Sequence, residues 1–428
     1  MKHKSEPFPI KKGIPCQLKW NHSTVYLTMG TTASCHRVEH DPIPLDNFDF
    51  HNIPEKIQAR EKMLAGQWPG RGCEHCKHIE DAGGVSDRLL HLDFPGVTAP
   101  PELQNDPLAT HVTPTQLEIY FGNTCNLKCI YCNSKFSSTI DAENARFGKW
   151  DHRYSQPLGG LFLPGRIEIN PKINEMTEKL FSWLEKHLDT LNKIIVLGGE
   201  PFLQKETERL IALLEQKNCP NLTLVVFSNL TVEHNRVQNW IGRLNQLKNS
   251  KKISNLQVVG SLDCWGAPAE YIRNGLRLDL YEKNFFWMLQ NTKTTLSVNC
   301  ALTSLTIPTL PDLVDKINQW SRTRPVYFSM MKAGDNVRKH LHPMIFGKDI
   351  LCLGYDRAME IFEDNNDSIK ENYHQYHLGI GKEIASTPPN LMEQKKLNMY
   401  LCELDRRRGT SWREVFPTIA ALYDRQQS

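Results

Sequence analysis

From about residue 115 the chain alternates short apolar runs with longer amphipathic stretches, a rhythm that restricts it to repeated strand–helix units around a parallel sheet. Six runs read as strands: Gln116–Phe121, Lys193–Leu197, Leu222–Phe227, Asn255–Leu262, Thr294–Leu302 and Pro325–Met330. Leu180, Phe181, Leu184 and Leu188 recur at helical spacing before the second run, as do Leu210, Ile211, Leu213 and Leu214 after it. Six units fall short of the eight that close a full barrel, so the expected fold is α/β, a partial (β/α)6 TIM-like barrel. In such folds chemistry collects at the carboxyl ends of the strands.

Residues 1–114 do not follow this rhythm. They are rich in Pro, His, Asp and Gly and carry one helical pattern, about Glu55–Leu64. Residues 1–91 are expected to form a separate N-terminal module, and 92–114, with five prolines from Leu92 to Pro114, a linker. The barrel is expected over 115–331 and a C-terminal helical extension over 332–428. Within that extension the chain reads as irregular through Asp367 and as helical around Leu391–Asp405 and Trp412–Arg425.

Hydrophobic residues at 40% and charged residues at 23% describe an ordinary globular protein, and a net charge of +3 gives no electrostatic signal for nucleic acid. No apolar stretch approaches a membrane span, and Met1-Lys-His-Lys-Ser-Glu-Pro lacks the apolar core of a secretory signal. The expected location is cytoplasmic, with no membrane partner. In a reducing compartment clustered cysteines are more often metal ligands or catalytic thiols than disulfides, and seven of the twelve cysteines fall into two clusters.

The first cluster directly follows the first predicted strand: Asn123-Thr-Cys125-Asn-Leu-Lys-Cys129-Ile-Tyr131-Cys132. Three thiolates from one short loop can ligate three irons of a four-iron cluster and leave the fourth iron open to a small chelating ligand. A structural zinc would require a fourth protein ligand that this loop does not offer. After the second strand comes Gly198-Gly199-Glu200-Pro201, a glycine-rich turn whose backbone can approach a ligand closely. Ser228-Asn229 ends the third strand, and Ser261-Leu-Asp263 ends the fourth. These are also common turn and cap residues. Arg273 follows the fourth strand, and Asn299 lies within the fifth, facing either side according to register.

The cysteine loop and the GGEP turn together resemble the radical S-adenosylmethionine (SAM) superfamily. The resemblance implies that Cys125, Cys129 and Cys132 hold a [4Fe-4S] cluster whose open iron chelates SAM, and that an electron from the cluster cleaves SAM to a 5′-deoxyadenosyl radical. It further implies that Tyr131 packs near the adenine, that Gly198, Gly199, Glu200 and Pro201 contact the amino group, and that Ser228, Asn229, Ser261, Asp263, Arg273 and Asn299 are cofactor contacts. Arg273 equally suits a structural ion pair. An electron donor such as flavodoxin or ferredoxin is implied as a partner. The expected substrate is a peptide or protein side chain, in a maturase-type modification; a small metabolite or nucleoside is the alternative, as is a non-catalytic metal-binding role.

The second cluster is Cys16, Cys35, Cys73 and Cys76, four thiols that can fully ligate an iron–sulfur cluster or a structural zinc. Their order, with a strand-like Ser23–Thr28 and a helix between them, resembles a twitch auxiliary-cluster module, which implies a second [4Fe-4S] cluster. In relatives such modules usually follow the barrel; here it precedes. His75 and His78 are alternative ligands. Of the isolated cysteines, Cys264 beside Asp263 could donate a hydrogen atom to a substrate radical. The run Arg406-Arg407-Arg408 reads as a solvated helix end, or as a dock for an anion.

Overall fold

The structure, a computed structural model, describes residues 8–92, 98–148, 167–333, 338–365 and 373–427. Among the described residues the fold is α/β, with a large, mostly parallel sheet of nine strands. Those strands are β1 (His22–Tyr26), β2 (Thr31–Ala33), β3 (Asp41–Pro42), β4 (Gln116–Tyr120), β6 (Lys193–Leu197), β7 (Cys219–Ser228), β8 (Ile253–Ser261), β10 (Thr295–Leu302) and β11 (Val326–Lys332). The order across the sheet is β11-β10-β8-β7-β6-β4-β1-β2-β3; β11 and β3 are its edges and the sheet is not closed. Two further short segments, β5 (Lys128–Cys129) and β9 (Arg273–Asn274), pair with each other.

The chain divides into two compact units. The first comprises Met1–Gly122, Glu168–Val226 and Gln246–Leu256; the second comprises Asn123–Ile167, Phe227–Asn245 and Gln257–Ser428.

In the first unit β4, β6 and β7 are parallel, joined by the helices Ile173–His187 and Lys205–Gln216. Side chains alternate across each strand, so Leu117, Ile194 and Leu224 form one buried row and Ile119, Val196 and Val226 the next. Phe121 continues that face and stacks on Phe181 of the first helix, ring centroids 5.9 Å apart. On the opposite face Ile195 and Leu197 are only partly buried. β1 runs parallel to β4, from His22 opposite Gln116 to Tyr26 opposite Tyr120. The segment 98–114 packs here as well: Trp20 donates to the Ala109 carbonyl at 2.8 Å, and Arg60 to the Thr110 carbonyl at 2.6 Å. Residues 93–97 of the expected linker lie outside the described residues.

The second unit repeats the pattern. Val258, Leu296 and Val326 form one buried row, followed by Val298 with Phe328 and Cys300 with Met330. The helices Leu278–Asn291 and Leu310–Ser321 close over this side, and Phe285 packs on Trp320 with centroids 4.4 Å apart. The segment after Lys332 is more ordered than the sequence suggested, with 3-10 turns at Lys339–Leu341 and Pro343–Leu353 and helices at Tyr355–Asn365 and Tyr373–Ser386. Tyr355, Ala358, Met359 and Phe362 seat the first of these helices by burying one stripe. The helices Leu391–Arg408, Trp412–Val415 and Pro417–Gln427 end the chain. Among the described residues no helix is long and apolar enough to cross a membrane.

Gly260 sits on the helix-facing side of β8, where a Cβ would run into the hydroxyl of Tyr281 and lie 3.2 Å from Leu230. That hydroxyl is buried without a hydrogen-bond partner. Gly260→Ala is therefore expected to destabilise the fold by about 1–3 kcal/mol through overpacking. Combining it with Tyr281→Phe should recover most of that loss, measured as denaturant midpoints of the two single variants and the double.

Candidate functional site

The cysteine loop belongs to the second unit. Its start is tied to the helix Ser138–Phe147: Ser138 N–H donates to the Asn123 carbonyl at 2.7 Å, and Cys125 N–H to the Ser138 hydroxyl at 3.1 Å. Ser137 caps that helix while donating to the Leu127 carbonyl at 2.7 Å, so helix start and loop are one hydrogen-bonded assembly. Leu127 N–H donates to the Cys125 sulfur at 3.4 Å. The middle of the loop is β5, which sets Cys129 opposite Arg273 of β9.

This pairing brings together a buried polar set. Arg273 donates to Asp263 Oδ1 at 2.8 Å, Tyr131 donates to Asp263 Oδ2 at 2.7 Å, and Ala301 N–H donates to Oδ1 at 2.9 Å. The Arg273 guanidinium also lies 4.0 Å from the Cys129 sulfur and 5.5 Å from the centre of the Tyr131 ring. Asp263 is completely buried, so its charge is held by three donors rather than by water. Burial pushes the Cys129 thiol up to about 12, against the opposing pull of Arg273.

The other strand-end residues brace the loop or line the sheet. Asn229 donates to the side-chain oxygen of Asn126 at 2.9 Å, and Asn126 in turn donates to the Thr231 carbonyl at 2.6 Å. Ser228 accepts from Leu230 N–H at 3.0 Å. Ser261 and Asn299 are opposite one another on the half-buried face, and Asn299 accepts from Ser329 at 2.9 Å.

Several supports were not visible from the sequence. Arg338 donates to the carbonyls of Ile130 (3.2 Å) and Cys132 (2.5 Å), and Tyr400 donates to that of Ile130. Glu143 joins Lys128, within the cysteine loop, to Arg408, each at 3.1 Å. Arg407 reaches Glu403 and Asn144. Arg407 and Arg408 are therefore buried braces, and only Arg406 of the run is largely solvated. Cys264 is fully buried, and burial pushes its thiol up.

In the first unit Gly198 and Gly199 both adopt positive φ, 87° and 62°. A Cβ on Gly198 would collide with the Tyr120 ring, whose Cγ lies 3.1 Å away. Glu200 is fully buried and caps the turn Pro201–Leu203 by accepting from Phe202 N–H at 3.1 Å. Gln204 holds the turn from outside by donating to the Gly198 carbonyl at 2.7 Å.

The same unit holds the second cysteine set. Cys16 and Cys73 lie in one apolar cluster with Phe8, Ile10, Trp20, Met63, Leu103 and Val112. Cys16 feels Cys35 and Cys73, and Cys73 feels Cys35 and Cys76. Burial pushes Cys16 up to about 12. Cys35 accepts from Arg37 N–H at 3.3 Å, and His78 is exposed.

Among the described residues no three His, Cys, Asp or Glu side chains gather around a single metal-ion position. Thiolates sharing one tetrahedral zinc must come within about 3.8 Å of each other, as Zn–S bonds of about 2.3 Å require. A four-iron cluster instead spreads its thiolates over separate irons.

No family model matches the chain, and no curated protein matches it.

Two outcomes follow for the buried polar set. Asp263→Ala strands the Arg273 charge and should destabilise the second unit by about 3–5 kcal/mol in denaturant unfolding. Burial opposes ionisation of Glu143, but hydrogen bonds and charge from Arg408 and Lys128 hold it below the usual glutamate range. Because its folded value is depressed, its stabilising effect is complete above the unfolded value, about 4.3, and disappears as pH falls through the folded one. The difference in thermal midpoint between wild type and Glu143→Gln should accordingly shrink from pH 6 toward pH 3.

Proposed function

We propose that this chain is a radical S-adenosylmethionine enzyme on a partial (β/α)6 barrel, with an auxiliary iron–sulfur module formed by its N-terminal cysteines. The observation that carries the reading is the cysteine loop itself. Three thiols lie within eight residues, and their loop is fastened by Arg273, Asp263 and Tyr131 at the ends of two strands. The donor set fits a cluster with one open iron, since three thiols are present and the next polar neighbour of Cys129 is a guanidinium rather than a ligand.

Cys125, Cys129 and Cys132 would hold that cluster, which when bound supplies the electron that cleaves SAM to the 5′-deoxyadenosyl radical that abstracts hydrogen from a substrate carbon. The protein's own residues position and shield. Leu127 N–H aims at the Cys125 sulfur, and the Arg273 charge at that of Cys129; both favour extra negative charge on a thiolate. Gly198 and Gly199, lacking side chains and bent to positive φ, present bare backbone suited to the SAM amino group. Ser261, Asn299 and Ser329 offer hydroxyls and an amide on the half-buried face, suited to a ribose. The ion-pair role of Arg273 and its proposed role beside SAM are compatible, because one guanidinium carries five donors.

Cys16, Cys35, Cys73 and Cys76 would hold a second, fully ligated four-iron cluster. A flavodoxin- or ferredoxin-type donor would supply electrons, and the favoured substrate is a peptide or protein side chain. Anaerobic reconstitution tests the reading. Wild type should bind about eight irons and the Cys125/Cys129/Cys132→Ala variant about four. Wild type alone should form 5′-deoxyadenosine from SAM and dithionite. Absence of that product from fully loaded protein would overturn the proposal.

A further inference from the structure

Each cysteine set has a buried cation beside it, and the two cations are compensated differently. Arg273, next to Cys129, is neutralised by Asp263 at 2.8 Å. Lys19, next to the N-terminal set, is not. Its side chain is buried, with the residue 6% exposed, yet its ammonium makes one hydrogen bond, to the Ser34 hydroxyl at 2.9 Å, and among the described residues no carboxylate lies within 4.0 Å of it. Its buried neighbours Lys56 and Arg60 bring it no anion. Lys56 is buried against Ser23, Thr32 and two backbone carbonyls, and Arg60 against carbonyls, Asn52 and His51. Glu39, Asp41 and Glu55 line the same small cleft as Lys19, but Arg71 engages Asp41 at 2.6 Å and Glu39 at 3.1 Å, and none of the three comes within 4.0 Å of the Lys19 ammonium. A buried ammonium without an anion is costly and calls for a counter-charge.

The chain places Lys19 where the thiols could provide one. Lys19 N–H donates to the carbonyl of Cys16 at 2.9 Å, Arg60 fixes the Lys19 carbonyl at 2.8 Å, and Ser34, its hydroxyl partner, is bonded covalently to Cys35. The Lys19 charge is felt by both Cys16 and Cys73. A cluster held by four thiolates is net negative in either oxidation state and more negative when reduced, so a fixed positive charge beside it stabilises the reduced form more.

We propose that Lys19 is a positioning residue of the N-terminal cysteine set, its buried ammonium being the counter-charge that raises the reduction potential of a four-iron cluster held by Cys16, Cys35, Cys73 and Cys76. This rests on the auxiliary-cluster reading above. It assigns the two clusters different electrostatic settings, the N-terminal one facing a lysine with no ion-pair partner within 4.0 Å and the loop one an ion pair.

The test uses the full chain with Cys125, Cys129 and Cys132 replaced by alanine, so that the only cluster signal comes from the N-terminal set. Redox titration followed by electron paramagnetic resonance is carried out on this parent, on Lys19→Met and on Lys19→Arg. The midpoint of Lys19→Met should fall by at least 59 mV, a tenfold change in a one-electron equilibrium, while Lys19→Arg stays at the parent value. Loss of iron from Lys19→Met but not from Lys19→Arg would also support the inference, since charge is then what the site requires. An unmoved midpoint in a fully loaded Lys19→Met, or loss of iron from both variants, overturns it and leaves the auxiliary cluster standing. A parent without iron overturns the auxiliary cluster and this inference together.

Discussion

A guanidinium taken out of water needs an anion or a full set of acceptors, and in the second unit the anion that Arg273 finds ties the cysteine loop to the sheet. Arg273 is buried and Asp263 completely so; neither could stay there charged alone. Asp263 stands just beyond β8, its Oδ1 is also held by the N–H of Ala301 in β10, and Arg273 is the residue that pairs with Cys129. One carboxylate thus couples two strand ends to the loop. Tyr131, on the other carboxylate oxygen, adds a second attachment two residues beyond Cys129. The pair is a geometric device more than a source of stability, because the desolvation of two charges absorbs most of their attraction.

Arg338 and the helix Leu391–Arg408 extend the same logic to the rest of the loop. Loops leave carbonyls without partners, and here those of Ile130 and Cys132 are taken by Arg338 and Tyr400. Glu143, one turn into the helix that follows the loop, is bridged to Lys128 on one side and Arg408 on the other. The cysteine loop has no regular hydrogen-bond ladder of its own apart from β5, so its remaining carbonyls are held by side chains from residues far along the chain. That is why the last hundred residues matter to a site whose cysteines all precede Asn133.

The legible parts of this chain are those governed by local periodicity. All six expected strands are present, because alternating apolar residues facing a helical layer leave a pattern within five or six residues. Their ends differ most where local signals conflict: β7 begins at Cys219 although Pro220 and Asn221 discourage a strand. The helix Tyr355–Asn365 escaped notice because its apolar stripe is short and runs into the acidic stretch after Phe362. Long-range pairing was not legible at all. Arg408 and Glu143 are 265 residues apart, so the arginine run read as a solvated end when two of its three members are buried. Arg273 and Asp263 could each be singled out by position, but their mutual pairing depends on the turn that β9 makes back against β5.

The alternation that makes the strands readable also divides the sheet's chemistry. In the second unit, one side of β8, β10 and β11 carries Val258, Leu296, Val326, Val298 and Phe328 and is sealed by helices. The other carries Gln257 hydrogen-bonded to Ser297 at 2.8 Å, then Ser261, Asn299 and Ser329 in register. Polar side chains on a strand tolerate partial burial when they pair across the ladder, as Gln257 with Ser297 and Ser329 with Asn299 do. A shift of one residue in any of these strands would bury the polar row under helices and expose the apolar one, a cost large enough to fix the register. The residues that hold the sheet together therefore also determine which face carries hydroxyls and amides, and they place one of these, Ser261, two residues before the aspartate that anchors the cysteine loop.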